Sequence, residues 1–123
     1  MRLAGGVDEL GREGSKSVTL PWETIVAYRP EVVLISCCGF TIERTLEEVS
    51  VLGAVKGWEE IPAVRDGRVW VVDGSSYFSR PGPRLVDSLE LLAHVIHPET
   101  FDLPSWVQSP VQMRRARPPS AAR

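Results

Sequence analysis

The stretch SSYFSRPGPR, residues 75–84, combines side chains that suit contact with a large ligand. Tyr77 and Phe78 offer aromatic surface, and the planar guanidinium of Arg80 can bind an amide, a carboxylate or a phosphate. The two prolines of the stretch restrict the backbone and so lower the entropy that the loop would lose on binding. The alternative is structural: the rings cap a sheet and the arginines pair with nearby acids. The pattern by itself favours neither interpretation.

Two adjacent cysteines, Cys37 and Cys38, begin a second candidate loop, CCGF. A reactive thiol pair could serve a thiol-dependent enzyme or a redox protein, which is one hypothesis for this chain. No motif places a histidine beside them, and a nucleophile needs a base that activates it. Free cysteine also commonly serves as a small buried hydrophobe. We therefore expect no catalytic residues and no enzymatic activity.

His94 and His97 lie three residues apart on a predicted helix and could share a metal ion. No third ligand accompanies them, and the helix dipole favours a histidine such as His97 at a helix C-terminus. The sequence therefore predicts neither a metal site nor a bound cofactor. Arg84, in the first turn of the same helix, is expected to pair with Asp87 or Glu90.

The distribution of charge bears on possible partners. The 123 residues carry a formal net charge of -2, but the last ten contain four arginines and no acid. Residues 1–113 thus have 10 basic and 16 acidic side chains. A nucleic-acid-binding face needs basic residues clustered on a folded surface. The acidic body predicts no nucleic-acid partner, and binding through the arginine-rich tail is the least favoured alternative.

Apolar periodicity and Pro/Gly positions predict five elements. These are a helix over 21–30, a strand over 31–36, a helix over 41–53, a strand over 69–73 and a helix over 83–96. Their alternation predicts an α/β fold with a small, mostly parallel sheet and flanking helices. Two strands are too few for a stable sheet, so something else must complete it.

The two longer helices each have a predicted apolar face. On the helix over 41–53 it comprises Ile42, Leu46, Val49 and Gly53. On the helix over 83–96 it comprises Leu85, Val86, Leu89, Leu92, Ala93 and Ile96. From Pro104 onward the chain is rich in Pro, Ser and Arg. We therefore predict a folded domain over 1–104 and a disordered tail over 105–123.

The predicted sheet places the two candidate loops. Ligands of open α/β sheets bind beyond the carboxyl ends of the strands. If the two strands are parallel neighbours, the loops that follow them open on the same edge. Phe40 of the first loop would then lie near Tyr77 and Phe78 of the second.

Three segments together resemble a known family: AGG near the start, PWETIVAYRPEVVLISCCGF, and IPAVRDGRVWVVDGSSYFSRPGPRLVDSLELLAHVIHPE. They look like the C-terminal lobe of the cobalamin-binding proteins of ABC importers, within the class that also binds iron-siderophores and haem. The resemblance covers residues 4–103. Pieces such as VRDGRV recur across the wider class, whereas CGF with YFSRPGPR and LELLAHVIHPE is narrower and indicates the cobalamin branch.

The resemblance implies roles for particular residues. One group would line the ligand cleft, with the aromatic and arginine side chains touching the corrin ring and its amides. These residues are Tyr77, Phe78, Arg80 and Ser76 on one loop and Cys38, Gly39 and Phe40 on the other. Glu23 matches the acidic residue that a lobe offers to arginines of the transporter's membrane subunits. Its alternative role is a favourable charge at a helix N-terminus.

The family also implies two α/β lobes bridged by one long helix, and an extracytoplasmic location. Residues 4–103 match only the C-terminal lobe, and the opening MRLAGGVDELG lacks the apolar core of a signal peptide. An N-terminal lobe is thus an expected partner, alongside the corrinoid ligand and the permease subunits. A ligand held from one side loses much of its buried contact, so we expect this chain alone to bind cobalamin weakly or not at all.

Overall fold

The structure, a computed structural model, describes residues 1–78 and 82–113. Its α-helices are α1 (Trp22–Tyr28), α2 (Ile42–Glu48), α3 (Pro62–Arg65), α4 (Gly74–Tyr77) and α5 (Leu85–Ile96). Its strands are β1 (Val33–Ile35), β2 (Val69–Val71) and β3 (Val111–Met113). Short 3-10 helices cover Arg2–Ala4, Val49–Ala54 and Trp58–Glu60. Among the described residues, no helix is long and apolar enough to cross a lipid bilayer.

The strands form one mixed sheet in the order β1-β2-β3. β1 and β2 are parallel, with Leu34 opposite Trp70. β2 and β3 are antiparallel, with Trp70 opposite Gln112. The α/β prediction is confirmed for this domain, but the sheet is mixed rather than mostly parallel.

The third strand comes from the segment that we expected to be a disordered tail. Val107 is 5% exposed and packs in the core, and Val111–Met113 forms the third strand of the sheet. The prediction failed because it considered the Pro and Ser content of this segment and not its few apolar residues, which have the spacing that an edge strand needs. The folded part therefore extends to at least residue 113, and residues 114–123 lie outside the described part.

Helices cover both faces of the sheet. On one face, Val69 and Val71 pack against residues of α2, α3 and the 3-10 helices, including Trp58, and against Ile61 just before α3. On the other face, Val72 packs against Leu91 of α5 and against Val107. Two buried layers are possible in so small a domain because alternate residues of each strand point to opposite faces.

The second helix begins as predicted but buries a different set of residues. Ile42 and Val49 are buried, whereas Leu46 is 38% exposed and Thr45 is fully buried. The Thr45 hydroxyl donates to the carbonyl oxygen of Thr41 at 2.9 Å, so its burial leaves no unpaired polar atom. The later part of the predicted helix, Val49–Ala54, tightens into a 3-10 helix.

The predicted apolar stripe of α5 is wrong at its N-terminal end. Leu85 and Val86 are 64% and 63% exposed, whereas the buried residues are Ser88, Leu91, Ala93 and Val95. Ser88 can be buried because its hydroxyl reaches the carbonyl oxygens of Tyr77 and Arg84. The helix is therefore rotated about its axis relative to the prediction. Ser88 can take a buried position against the neighbouring loop because its hydroxyl is hydrogen-bonded there.

Candidate functional site

The loops after β1 and β2 meet at the carboxyl edge of the sheet, as predicted. The Ser75 amide donates to the Phe40 carbonyl oxygen at 3.2 Å. A methyl group added at Gly74 would lie 2.2 Å from the carbonyl oxygen of Cys37, so the two backbones are in direct contact there. The parallel pairing of β1 and β2 thus brings both candidate loops into one surface.

Phe40 stands at this edge with a cation against its ring. The Arg44 guanidinium carbon lies 5.2 Å from the centroid of the Phe40 ring. Arg44 is anchored by Glu47 at 2.9 Å and by Glu48 at 2.7 Å. The hydrogen bond to Glu47 and the negative charge of Glu48 both raise the pKa of Arg44, so it stays charged. The result is a ring and a guanidinium held together on an exposed surface.

Arg44 was not among the predicted site residues. The start of α2 explains its position: Thr41 is the N-cap, and its side-chain oxygen accepts a hydrogen bond from the Arg44 amide at 3.3 Å. Residues four apart on a helix are neighbours, so the i to i+4 spacing of Phe40 and Arg44 across the helix start could have indicated that their side chains meet.

The loop after β2 begins with a short helix capped by Asp73. Its Oδ1 accepts from the Ser76 amide at 2.8 Å, and its Oδ2 accepts from the Ser76 hydroxyl at 3.2 Å. Asp73 is 8% exposed, so these bonds satisfy a nearly buried carboxylate. Ser76, one of the predicted ligand-binding residues, thus donates its hydroxyl proton to Asp73. Asp73 was not among the predicted site residues, although an Asp three residues before a backbone donor is a common capping pattern.

Tyr77 supports the loop as well as lining it. Its ring packs against the cluster of Val72, Leu91 and Val107, and its hydroxyl accepts a hydrogen bond from the Gln108 amide at 3.0 Å. Tyr77 is consequently half-buried, whereas the adjacent Phe78 is 37% exposed. Of the two aromatic residues, Phe78 has the freer surface.

The other predicted site residues are distributed as follows. Cys37 is half-buried and Cys38 is exposed, and Gly39 adopts the left-handed conformation with φ 76°. Glu23 is exposed in the first turn of α1, where the sequence placed it. Arg80 lies outside the described residues.

Both histidines lie at the C-terminal end of α5, away from the candidate loops, and the His94 ring packs edge-on against Trp70 of β2. This end of α5 meets the amino edge of the sheet. There the Arg68 guanidinium, just before β2, donates to the Ile96 carbonyl oxygen at 2.7 Å. His94 Nδ1 lies 2.6 Å from the Phe101 carbonyl oxygen, and His97 Nε2 lies 3.1 Å from that of Gly5. Each histidine thus directs one ring nitrogen at a backbone carbonyl. Within residues 1–78 and 82–113, no three His, Cys, Asp or Glu side chains form a group that could hold a metal ion.

The predicted pairing of Arg84 is wrong for the described residues, among which Arg84 forms no ion pair. The Asp87 carboxylate instead accepts a hydrogen bond from Trp106 Nε1 at 3.1 Å. Trp106 is 72% exposed and stands beside the first turn of α5. The sequence could not indicate this aromatic residue, because the segment that carries it was expected to be disordered.

Comparison with known proteins gives a partial match. A segment of 45 residues, 37% of this chain, is 49% identical to part of the uncharacterized ABC transporter substrate-binding lipoprotein YvrC of Bacillus subtilis (strain 168). The matched segment covers 14% of the length of that protein. No family model matches the chain, and no solved structure matches it significantly. The similarity is to the substrate-binding class of ABC transporter proteins, without indicating a ligand.

Proposed function

We propose that this chain forms ligand-binding surface of a substrate-binding protein that serves an ABC importer, and that the ligand is cobalamin or another corrinoid. The observation that carries the proposal is the meeting of the two loops at the carboxyl edge, with the Ser75 amide bonded to the Phe40 carbonyl. The similarity to part of a substrate-binding lipoprotein supports the class of protein.

The side chains at this edge, with Phe78 exposed and Phe40 half-buried, suit a broad ligand with apolar faces and polar substituents. Phe40 and Phe78 provide aromatic surface, and Arg44 provides charged N–H donors beside Phe40. A corrinoid combines a large ring with amide side chains, which such a surface can contact by packing and by hydrogen bonds. The choice of corrinoid over haem or an iron-siderophore rests on the resemblance described for the loop sequences.

The proposed role is binding without catalysis. The chain has two histidines, and both are at the C-terminal end of α5, bonded to backbone carbonyls. Cys38 is exposed at the candidate site, but no histidine adjoins it to act as a base. Rapid alkylation of Cys38 by iodoacetamide near neutral pH would instead support the thiol-dependent alternative, because only a thiolate reacts quickly.

Delivery to a transporter requires a surface that the permease can recognise. Glu23, exposed in the first turn of α1, is our candidate for pairing with permease arginines. A single edge offers contact from one side only, so we propose that a second lobe completes the cleft and that the assembly works outside the cytoplasm. YvrC is named as a lipoprotein, which agrees with that location.

The test is titration of the purified chain with cyanocobalamin, followed by calorimetry and by the corrinoid absorption spectrum. We expect weak, saturable binding that Phe40→Ala weakens about tenfold, corresponding to about 1.4 kcal/mol, because an aromatic packing surface is removed. The matched control is Phe101→Ala, which removes an exposed phenylalanine at the opposite edge and should leave binding unchanged.

Each other outcome has a distinct meaning. Binding of haemin or a ferric siderophore in preference to cyanocobalamin would replace the corrinoid but keep the binding role. Tight 1:1 cyanocobalamin binding would contradict the need for a second lobe. Equal effects of the Phe40 and Phe101 substitutions would refute the location of the site.

A further inference from the structure

Among the residues that the structure describes, the outer edge of β1 carries backbone groups without partners. The Val33 amide donates to the Arg68 carbonyl oxygen at 3.0 Å, and the Ile35 carbonyl oxygen accepts from the Val72 amide at 3.1 Å. The backbone N–H and C=O groups of Val33 and Ile35 therefore face β2, and those of the intervening Leu34 point away from β2. Within the described part of the chain, no strand or side chain pairs with that edge. Unpaired edges of this kind are templates for an added strand.

A groove of about 800 Å³ runs along this same edge. Ile25 and Tyr28 of α1 line it from one face of the sheet, and Leu92 and Ile96 of α5 line it from the other. The backbone of β1 therefore lies at the base of the groove, between two mostly apolar walls. Residues 5–8 and Leu10 of the N-terminal segment also line the groove.

We propose that this groove binds an extended peptide segment of a partner polypeptide, which adds to β1 as a fourth strand. The unpaired N–H and C=O of Leu34 supply the backbone hydrogen bonds of this mode of recognition, and the two walls receive side chains of alternate residues. Because β1 spans three residues and a strand rises about 3.3 Å per residue, the paired region is short, about 10 Å.

The walls and the rim define the chemistry of the partner segment. Because apolar side chains line the groove on both faces of the sheet, the segment must be apolar at successive positions, as in a strand buried on both sides. Three exposed carboxylates stand along the rim, on Asp8, Glu31 and Glu99. The guanidinium of Arg68, also at the groove, is engaged by the Ile96 carbonyl. Basic residues flanking the apolar core of the segment would thus match the charge of the rim.

The probe is a fluorescein-labelled peptide with a Val-Leu-Val-Val-Leu core between lysine pairs, titrated with the full chain and followed by anisotropy. A matched peptide with N-methyl groups on alternate core residues loses the donors that would face β1. We expect saturable binding of the first peptide and at least tenfold weaker binding of the methylated one. Equal affinity of the two, or no saturable binding, would overturn the proposal.

Hydrogen exchange locates the contact without any substitution. The Leu34 amide should exchange at least tenfold more slowly when the first peptide is saturating, whereas the Ile35 amide, which faces β2, should change little. An unprotected Leu34 amide in the saturated complex would contradict strand addition. If light scattering shows a dimer that protects Leu34 without peptide, the groove is instead an interface between two copies of the chain, and the proposal fails.

A pair of variants on α5 provides an independent check. Leu92→Lys places a charge in the apolar wall and should weaken peptide binding at least tenfold. Val86→Lys is the matched control, because Val86 is 63% exposed on the same helix and does not line the groove. Equal binding by the two variants would show that the peptide binds elsewhere.

Discussion

Gly74 permits the contact that joins the two halves of the candidate site. Its backbone lies against the Cys37 carbonyl so closely that a Cβ atom would stand 2.2 Å from the oxygen. The neighbouring residue, Ser75, then bonds to Phe40. The position of Phe40 relative to Phe78 therefore depends on residue 74 being a glycine, which has no side chain.

We expect Gly74→Ala to destabilise the fold by about 1–3 kcal/mol, because the added methyl group overlaps a backbone atom that has little freedom to move. The comparison is Gly53→Ala, since in the described part of the chain no atom beyond the adjacent residues and the local helix backbone lies within 4 Å of a Cβ added at Gly53. That change should alter stability by less than about 1 kcal/mol. Urea denaturation of both variants is the measurement, and equal midpoints would show that the loops are not in contact.

The helices illustrate how an element can be predicted correctly and oriented wrongly. α2 and α5 are where periodicity placed them, yet Thr45 and Ser88 are buried while Leu46 and Leu85 are exposed. Both hydroxyls bond to backbone carbonyls, which removes the cost of burying them. A hydrophobic pattern depends only on residue types, so it cannot indicate such hydrogen bonds.

The orientation of α5 is testable with two leucines of the same helix. Leu91 is fully buried and Leu85 is 64% exposed. Leu91→Ala should lower the free energy of unfolding by about 2–5 kcal/mol because it leaves a cavity. Leu85→Ala should change it by no more than about 0.5 kcal/mol. Thermal or urea unfolding decides between this orientation and the stripe that the sequence predicted, in which Leu85 would be the costlier loss.

On the scale of the whole molecule, the segment after Pro104 completes the domain. Val107 fills the core on the α5 face, Gln108 bonds to Tyr77, and β3 pairs with β2. The segment also supports the candidate site, because the contacts of Val107 and Gln108 hold Tyr77 in the loop after β2.

A chain ending at Pro104 should therefore be clearly less stable than one ending at Met113. Both lack residues 114–123, so the comparison isolates β3 and Val107. We expect a lower urea midpoint and faster hydrogen exchange in β2 for the shorter chain, because β2 loses a hydrogen-bonded neighbour. Identical midpoints for the two chains would mean that residues 105–113 add nothing to the fold.

The sequence alone determined what depends on neighbours along the chain. The α/β alternation, the start of α1 with Glu23 in its first turn, and the two loops that follow β1 and β2 could all be predicted, because local propensity and periodicity specify them. The shared edge of those loops followed from the parallel pairing expected of such strands.

Only the tertiary structure decided which distant residues meet. In the folded domain Gln108 bonds to Tyr77, Trp106 bonds to Asp87, and Val111–Met113 pairs with β2. The tertiary structure also left the outer edge of β1 open beside a groove. Such contacts join residues far apart in sequence, and their free energies come from burial and hydrogen bonding that no local pattern encodes.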